Sequence, residues 1–377
     1  MRVLHVMECT IGGARRHITE ATRGLRAAGV DVHLVAAAER QPDFRDTLRA
    51  LESEGVGVLE LPMIREVRPG TDWKHARALT AHVRSLAPDV VHAHSSKGGV
   101  LGRWASLRSG RGKRVYSPHT LAYLHAASFS AKKRALYRGI ETWFGKRTDR
   151  MVAVSSDEAD TIRASGVIAP DRVRVVSNGI EAASYDGIEP AERAALNTPE
   201  DAPVALLAGL LYEAKGQDLA VEMLARPGCE RLHVWFAGTG EQRASYEALA
   251  AERGVAERAH FLGWRDDVPR LLAAADFLLL PSRWEAMPYI VLEAMSARRP
   301  VVAAQVDGVR DLVAEGESGL THPIGDVGAL GEACARMIAA APQERAAMGE
   351  AGRARVEQSF SIQTMVEGLI GVYDELI

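Results

Sequence analysis

Residues 2–36 read RVLHVMECTIGGARRHITEATRGLRAAGVDVHLVA. The apolar run RVLHVM (2–7) closes in the turn TIGG. Apolar residues then recur at helical spacing from Ala14 to Ala28 and stop at Gly29, and VDVHLVA (30–36) is a second β-rich run. Two strands joined by a helix imply a parallel pair, because parallel strands need a long crossover.

The pattern continues outward. DVVHAH (89–94), RVYSPH (114–119), RMVAVS (150–155) and RVRVVSNG (172–179) are further strands, separated by stretches rich in Ala, Arg and Leu. Periodicity lapses over 181–203, in EAASYDGIEP and LNTPEDAP, and then restarts with PVALLAGL (203–210), RLHVWFAG (231–238), HFLGW (260–264), DFLLLPS (276–282) and PVVAAQ (300–305). The expected fold is α/β, with two doubly wound Rossmann-like domains over 1–180 and 181–360. The stretch 361–377, apolar at Met365, Val366, Leu369, Ile370, Val372 and Tyr373, is a terminal amphipathic helix.

At 377 residues, 47% apolar and 25% charged, the chain has the composition of a two-domain globular protein. Three scattered cysteines without a CxxC pair point to a reducing compartment and away from a metal cluster. The longest apolar run, LLAAADFLLL (271–280), is interrupted by Asp276 and too short to span a bilayer. With no signal peptide discernible, a cytoplasmic location is expected, with peripheral membrane contact open. The net charge of −3 hides an asymmetry. Residues 1–180 carry 29 Lys/Arg against 18 Asp/Glu, and residues 181–377 carry 17 against 31. A balance of +11 in the first half suits an anionic partner, although clusters such as RGKR (111–114) and KKR (132–134) also serve as solvated surface.

Open α/β sheets bind ligands beyond the carboxyl ends of their strands, and the unusual clusters fall there. Gly12-Gly13 follows the first strand and lets backbone approach an anion, but the full GxGxxG spacing is absent, which disfavours a nicotinamide oxidoreductase. Lys215 follows PVALLAGL and could act as a point charge for phosphate. His119 ends the strand in YSPHT. His92 and His94, two apart on one strand, are assigned to opposite faces and so are not read as a pair of metal ligands.

In PSRWEAMPYIVLEAM (281–295), Glu285 and Glu293 would lie about 80° apart on one continuous helix, poor geometry for two acids sharing a site. A helix starting near Pro288 instead leaves Glu285 on the loop before it and Glu293 on its second turn. Its exposed N–H groups then form an anion site flanked by two hydroxyl-accepting carboxylates.

This E-x7-E segment resembles the donor site of retaining glycosyltransferases of the GT-B fold, family 4 type. The likeness extends through DVVHAHSSKGGVLGRWA, YSPHT, VSNGI, AGLLYEAKG, GTGE, FLGW and PVVAAQVDGVRDLV. It implies two domains facing a central cleft, the first for the acceptor and the second for a nucleotide sugar, with the final helix crossing back to the first domain. By resemblance, Glu293 accepts from the ribose hydroxyls and Glu285 contacts the transferred sugar. Backbone at Met287, Pro288, Tyr289 and Ile290 faces sugar and diphosphate, Lys215 neutralises the diphosphate, and Gly13 closes over it. Gly209, Gly238 and the turn Gly263–Trp264–Arg265 complete the donor site. His119, with Glu285, is the catalytic assignment, and Gly12, His17, His94, Lys97 and His119 line the acceptor side. No metal or other cofactor is implied.

Leu210 stands where the family usually has an arginine paired with the later lysine, and Ala286 where it usually has a glycine. Arg283 and Arg265 are the candidates to compensate for Leu210. The expected activity is transfer of a hexosyl or N-acetylhexosaminyl group, with a UDP-sugar as the foremost donor. The acceptor would be a lipid-linked or other anionic glycan of surface-polysaccharide assembly, and no nucleic acid is expected as a partner. The alternatives are a transferase acting on a small metabolite or natural product, a sugar-nucleotide epimerase, and a non-catalytic sugar-nucleotide-binding subunit.

Overall fold

The structure, a computed structural model, describes residues 1–124 and 129–377. It divides into two compact units: Met1–Gly179 together with Ile362–Ile377, and Ile180–Ser361.

In the first unit the chain runs through β1 (Arg2–Met7), α1 (Gly12–Ala27), β2 (Asp31–Ala36), α2 (Phe44–Ser53), β3 (Gly57–Glu60) and α3 (Pro69–Leu86). It continues through β4 (Val90–His94), α4 (Ser96–Ser109), β5 (Lys113–Ser117), α5 (Ala131–Gly145), β6 (Arg150–Ala153), α6 (Ser156–Ser165) and β7 (Val173–Val175). The strands form one sheet in the order β3-β2-β1-β4-β5-β6-β7, every neighbouring pair parallel.

Alternate residues of a strand reach opposite faces, and the β1 side chains divide accordingly. Val3 and Met7 join Leu25, Phe44 and Val90 in one core, whereas Leu4 and Val6 join Leu79, Val83 and Leu101 in another. His5 shares the face of Val3 and Met7. It pairs in register with His92, which in turn shares the face of Val90.

The second unit contains β8 (Val204–Ala208), α7 (Gln217–Leu224), β9 (His233–Ala237), α8 (Arg243–Glu252), β10 (Ala259–Gly263), α9 (Val268–Ala274) and β11 (Phe277–Leu280). After these come α10 (Tyr289–Ser296), β12 (Val301–Ala304), α11 (Val309–Leu312), β13 (Gly319–His322), α12 (Val327–Ala339) and α13 (Pro342–Ser359). Its parallel sheet has the order β10-β9-β8-β11-β12-β13. The expected strands recur within a few residues, and β3 and β13 are additions to them. His119 lies two residues beyond the end of β5 rather than on the strand.

The last helix, α14 (Ile362–Asp374), belongs to the first unit. Met365, Val366, Leu369, Val372 and Tyr373 are buried in the core that contains Leu25 of α1. Contact with α1 is close: a Cβ on Gly24 would lie 2.5 Å from Val366 Cγ2. Burial of each such side chain contributes on the order of 1.5–3 kcal/mol, enough to hold a short helix that would not persist alone.

Candidate active site

Each sheet reverses its strand order once, between β1 and β4 in the first unit and between β8 and β11 in the second. A reversal sends the loops of the two adjacent strands away from each other and opens a crevice at their carboxyl ends. The residues singled out in the sequence cluster at these two places.

In the second unit, Lys215 lies in the loop after β8 and Glu285 in the loop after β11. Lys215 Nζ donates to Glu285 Oε1 at 2.6 Å, and Ser282 Oγ donates to the same oxygen at 2.8 Å. Burial by itself would lower the Lys215 pKa; the facing carboxylate and its hydrogen bond outweigh that, and the net shift is upward. The ammonium is therefore held charged. Helix α10 begins at Tyr289 after Pro288, so Glu285 precedes it and Glu293 sits on its second turn. The first-turn N–H groups of a helix lack intrahelical acceptors and carry its positive dipole end.

The neighbouring loops are tied through backbone. Gly209 N–H donates to Ala237 O at 2.9 Å, Leu211 N–H to Thr239 O at 2.9 Å, and Gly238 N–H to Gly263 O at 2.7 Å. Glycine is required at several close contacts, Gly238 and Gly308 among them. A Cβ on Gly238 would fall 2.0 Å from Gly209 O. One on Gly308, where φ is +78°, would fall 2.5 Å from Ala286 O and 2.8 Å from Met287 Cα. Gly308 thus fixes the loop that carries Glu285.

Neither arginine considered as a substitute at Leu210 has a free head group. Arg283 grips both oxygens of Asp218 at 2.9 and 2.6 Å, and Arg265 grips both of Asp267 at 2.7 and 2.6 Å. Leu210 itself is 41% exposed. Trp264 is exposed, with its indole N–H on Asp266 Oδ1 at 2.8 Å. A recess of about 450 Å³ in this unit is lined by Asn197, Arg243, Glu247 and Arg265, among others, and takes in neither Lys215 nor Glu285.

In the first unit the reversal is filled with imidazoles. His5 (β1), His92 and His94 (β4) and His17 (α1) are buried, and His119 after β5 is half-buried. The assignment of His92 and His94 to opposite faces is overturned: their rings stack with centroids 4.1 Å apart, because residues two apart on a strand share a face. His94 Nε2 is 2.9 Å from His5 Nδ1, and His94 Nδ1 is 3.2 Å from His119 Nε2. His92 lies between Tyr373 Oη at 2.7 Å and Ser117 Oγ at 2.9 Å. His17 Nδ1 lies 2.9 Å from Asn178 Oδ1, and its ring meets that of His119 edge-on at 4.7 Å. Burial lowers all five pKa values, to about 3 for His5 and about 4 for His17, and well below the ordinary value for the other three.

His119 and Thr120 have φ of +49° and +84°, uncommon for residues with side chains. Glu158 Oε1 accepts the Thr120 N–H at 2.6 Å while its Oε2 accepts that of Val154 at 2.8 Å, pinning the loop that presents His119. Helix α1 starts at Gly12 and carries Gly13 in its first turn. Lys97 turns into its own unit, paired with Asp72 Oδ1 at 2.8 Å and bonded to Glu66 O.

Ser282, Asn178 and Glu158 were passed over in the sequence. The first two lie inside the segments PSRWEAMP and VSNG, so position alone marked them. Glu158 carried no comparable sign, being one acid at the start of a helix.

Residues 11–184 match the family described as Glycosyltransferase Family 4, and residues 188–355 match Glycosyl transferases group 1. The lipopolysaccharide core biosynthesis glycosyltransferase LpsE of Rhizobium meliloti is 29% identical over 81% of this chain and 88% of its own. A D-inositol 3-phosphate glycosyltransferase of Acidothermus cellulolyticus is 30% identical over 97% of this chain and 86% of its own. Among solved structures, Anabaena Alr3699/HepE in complex with UDP-glucose superposes with a TM-score of 0.79, at 20% identity and over 100% of both chains. The chain belongs to the glycosyltransferases of family 4 and group 1, and its two parallel sheets are those of the GT-B fold.

Proposed function

We propose that this glycosyltransferase takes its sugar from a UDP-sugar and transfers it, with retention of configuration and without a metal, to an anionic glycan or lipid-linked acceptor at the cytoplasmic face of a membrane. The observation that carries the donor assignment is the Lys215–Glu285 pair at the β8/β11 reversal, beside the start of α10. A leaving diphosphate develops charge in the transition state, and a fixed ammonium with first-turn N–H groups stabilises that charge without reorganising. Both hydrogen bonds that the described residues make to Glu285 fall on Oε1, so Oε2 is the oxygen that accepts from a sugar hydroxyl. Glu293 is assigned to the ribose and His119 to the sugar. A good leaving group needs no strong general acid, so catalysis rests on charge stabilisation and positioning.

The UDP assignment draws on HepE, solved with UDP-glucose. The acceptor assignment draws on the +11 balance of residues 1–180 and on relatives named for lipopolysaccharide core synthesis and for an inositol phosphate. Among the described residues no helix is long and apolar enough to cross a membrane, so contact with a lipid-linked acceptor would be peripheral.

Thermal-shift screening against UDP, GDP, ADP and their sugars tests the donor. Stabilisation by UDP compounds above the others is expected, and a preference for guanosine or adenosine compounds would replace UDP in the assignment. Proton NMR of the new anomeric linkage, compared with the donor's, tests retention.

A further inference from the structure

We propose that the first unit binds one divalent transition-metal ion of the zinc class, held by His17, His94 and His119. Imidazole nitrogens suit Zn²⁺, Co²⁺ and Ni²⁺. One ring nitrogen from each of these histidines lies within 4.8 Å of the other two. His94 Nδ1 and His119 Nε2 are already 3.2 Å apart. Zn–N bonds of about 2.0–2.1 Å in tetrahedral geometry place ligand nitrogens about 3.3 Å apart.

Two of the three ring nitrogens facing away from the ion are held as a metal site requires. An amide oxygen only accepts, so His17 Nδ1–H donates to Asn178 Oδ1, which leaves the Nε2 lone pair as the ligand. Among the described residues that Nε2 has no hydrogen-bond partner although it is fully buried. His94 Nε2 is likewise tied to His5 Nδ1. In the free protein one proton lies between His94 Nδ1 and His119 Nε2. Metal binding releases it from that contact, with His119 carrying its proton on Nδ1 instead.

The neighbouring trio His5, His92 and His94 also brings three ring nitrogens within 4.8 Å of one another, but both nitrogens of His92 are engaged by Tyr373 and Ser117. His119 is the half-buried member, and through it an ion enters. Three protein ligands leave a fourth position open. The ion is an inhibitor of transfer, not a cofactor, because it occupies His119 and His17. That clause rests on the proposed function; the binding site does not.

The test uses the tag-free, EDTA-treated full chain titrated with Co²⁺. One ion per chain is expected, with tetrahedral visible absorption and three paramagnetically shifted imidazole signals by NMR, and Zn²⁺ should displace it. His17→Gln and His119→Gln should each weaken binding at least tenfold, the scale on which metal sites respond to lost supporting groups. His260→Gln, in the His233–His260 pair of the second unit, should leave binding intact. No stoichiometric Co²⁺ spectrum, or fewer than three ligating imidazoles, overturns the site, and so does undiminished binding in both folded variants. Transfer in EDTA without zinc binding would sink the site alone. Zinc binding without transfer in EDTA would sink the proposed function alone.

Discussion

Lys215 and Glu285 hold each other at 2.6 Å, and a diphosphate placed at the start of α10 would share that ammonium. Removing a single fixed donor from such a site typically costs about 10²–10³ in kcat. Lys215→Ala should therefore lower UDP-sugar turnover by about that factor, read as kcat under saturating donor, and should also lower the melting temperature because Glu285 loses its ion-pair partner. Leu210 offers the opposite experiment. Exposed ion pairs contribute about 0.2–1 kcal/mol, so Leu210→Arg should lower the donor KM by up to about fivefold. An unchanged or raised KM would show that position 210 does not face the donor.

At this scale the sequence was legible where motif and geometry coincide, as at Lys215, Glu285 and Pro288. It was misleading at His92 and His94, whose two-residue spacing means one shared face. It was silent on the engagement of Arg283 by Asp218, since a carboxylate 65 positions away in the chain leaves no local pattern.

Among the elements, the start of the β5–α5 connection, at Thr120, is held by the Glu158 carboxylate. Glu158 holds Thr120 and Val154 by backbone, and residues kept at positive φ cost on the order of 1–3 kcal/mol unless their surroundings hold them. Glu158→Ala should lower kcat for transfer and lower the melting temperature together, whereas Glu158→Gln should recover part of both. Loss of stability with full kcat would separate His119 from the chemistry. Element types were mostly readable because central parallel strands are continuous apolar runs. β3 and β13 escaped because GVLE and GLTH are four residues long, sit at sheet edges and begin with glycine. Short edge strands carry too few apolar residues to register as a run.

For the molecule as a whole, the buried histidines make acid the vulnerable direction. Their folded pKa values lie below 6.5, so the unfolded chain binds more protons between the two values, and stability rises with pH there. It is fully present above about pH 6.5 and is lost as pH falls toward the folded values, by up to about 1.4 kcal/mol per pH unit for each fully differing group. Urea melts of the chelator-treated chain at pH 7.5, 6.5 and 5.5 should show the midpoint falling mainly over the last step. A midpoint flat to pH 5 would mean the cluster protonates without unfolding.

Helix α14 also bears on synthesis at the ribosome. The second unit is contiguous in sequence, whereas the first is completed by a helix made after all of Ile180–Ser361. Domains generally fold as units in the order they emerge. Here the sheet that appears first must wait, with the Leu25 side of α1 uncovered, until the last helix arrives. A released chain truncated after Ser361 should therefore show a protease-resistant second unit beside a sensitive first one.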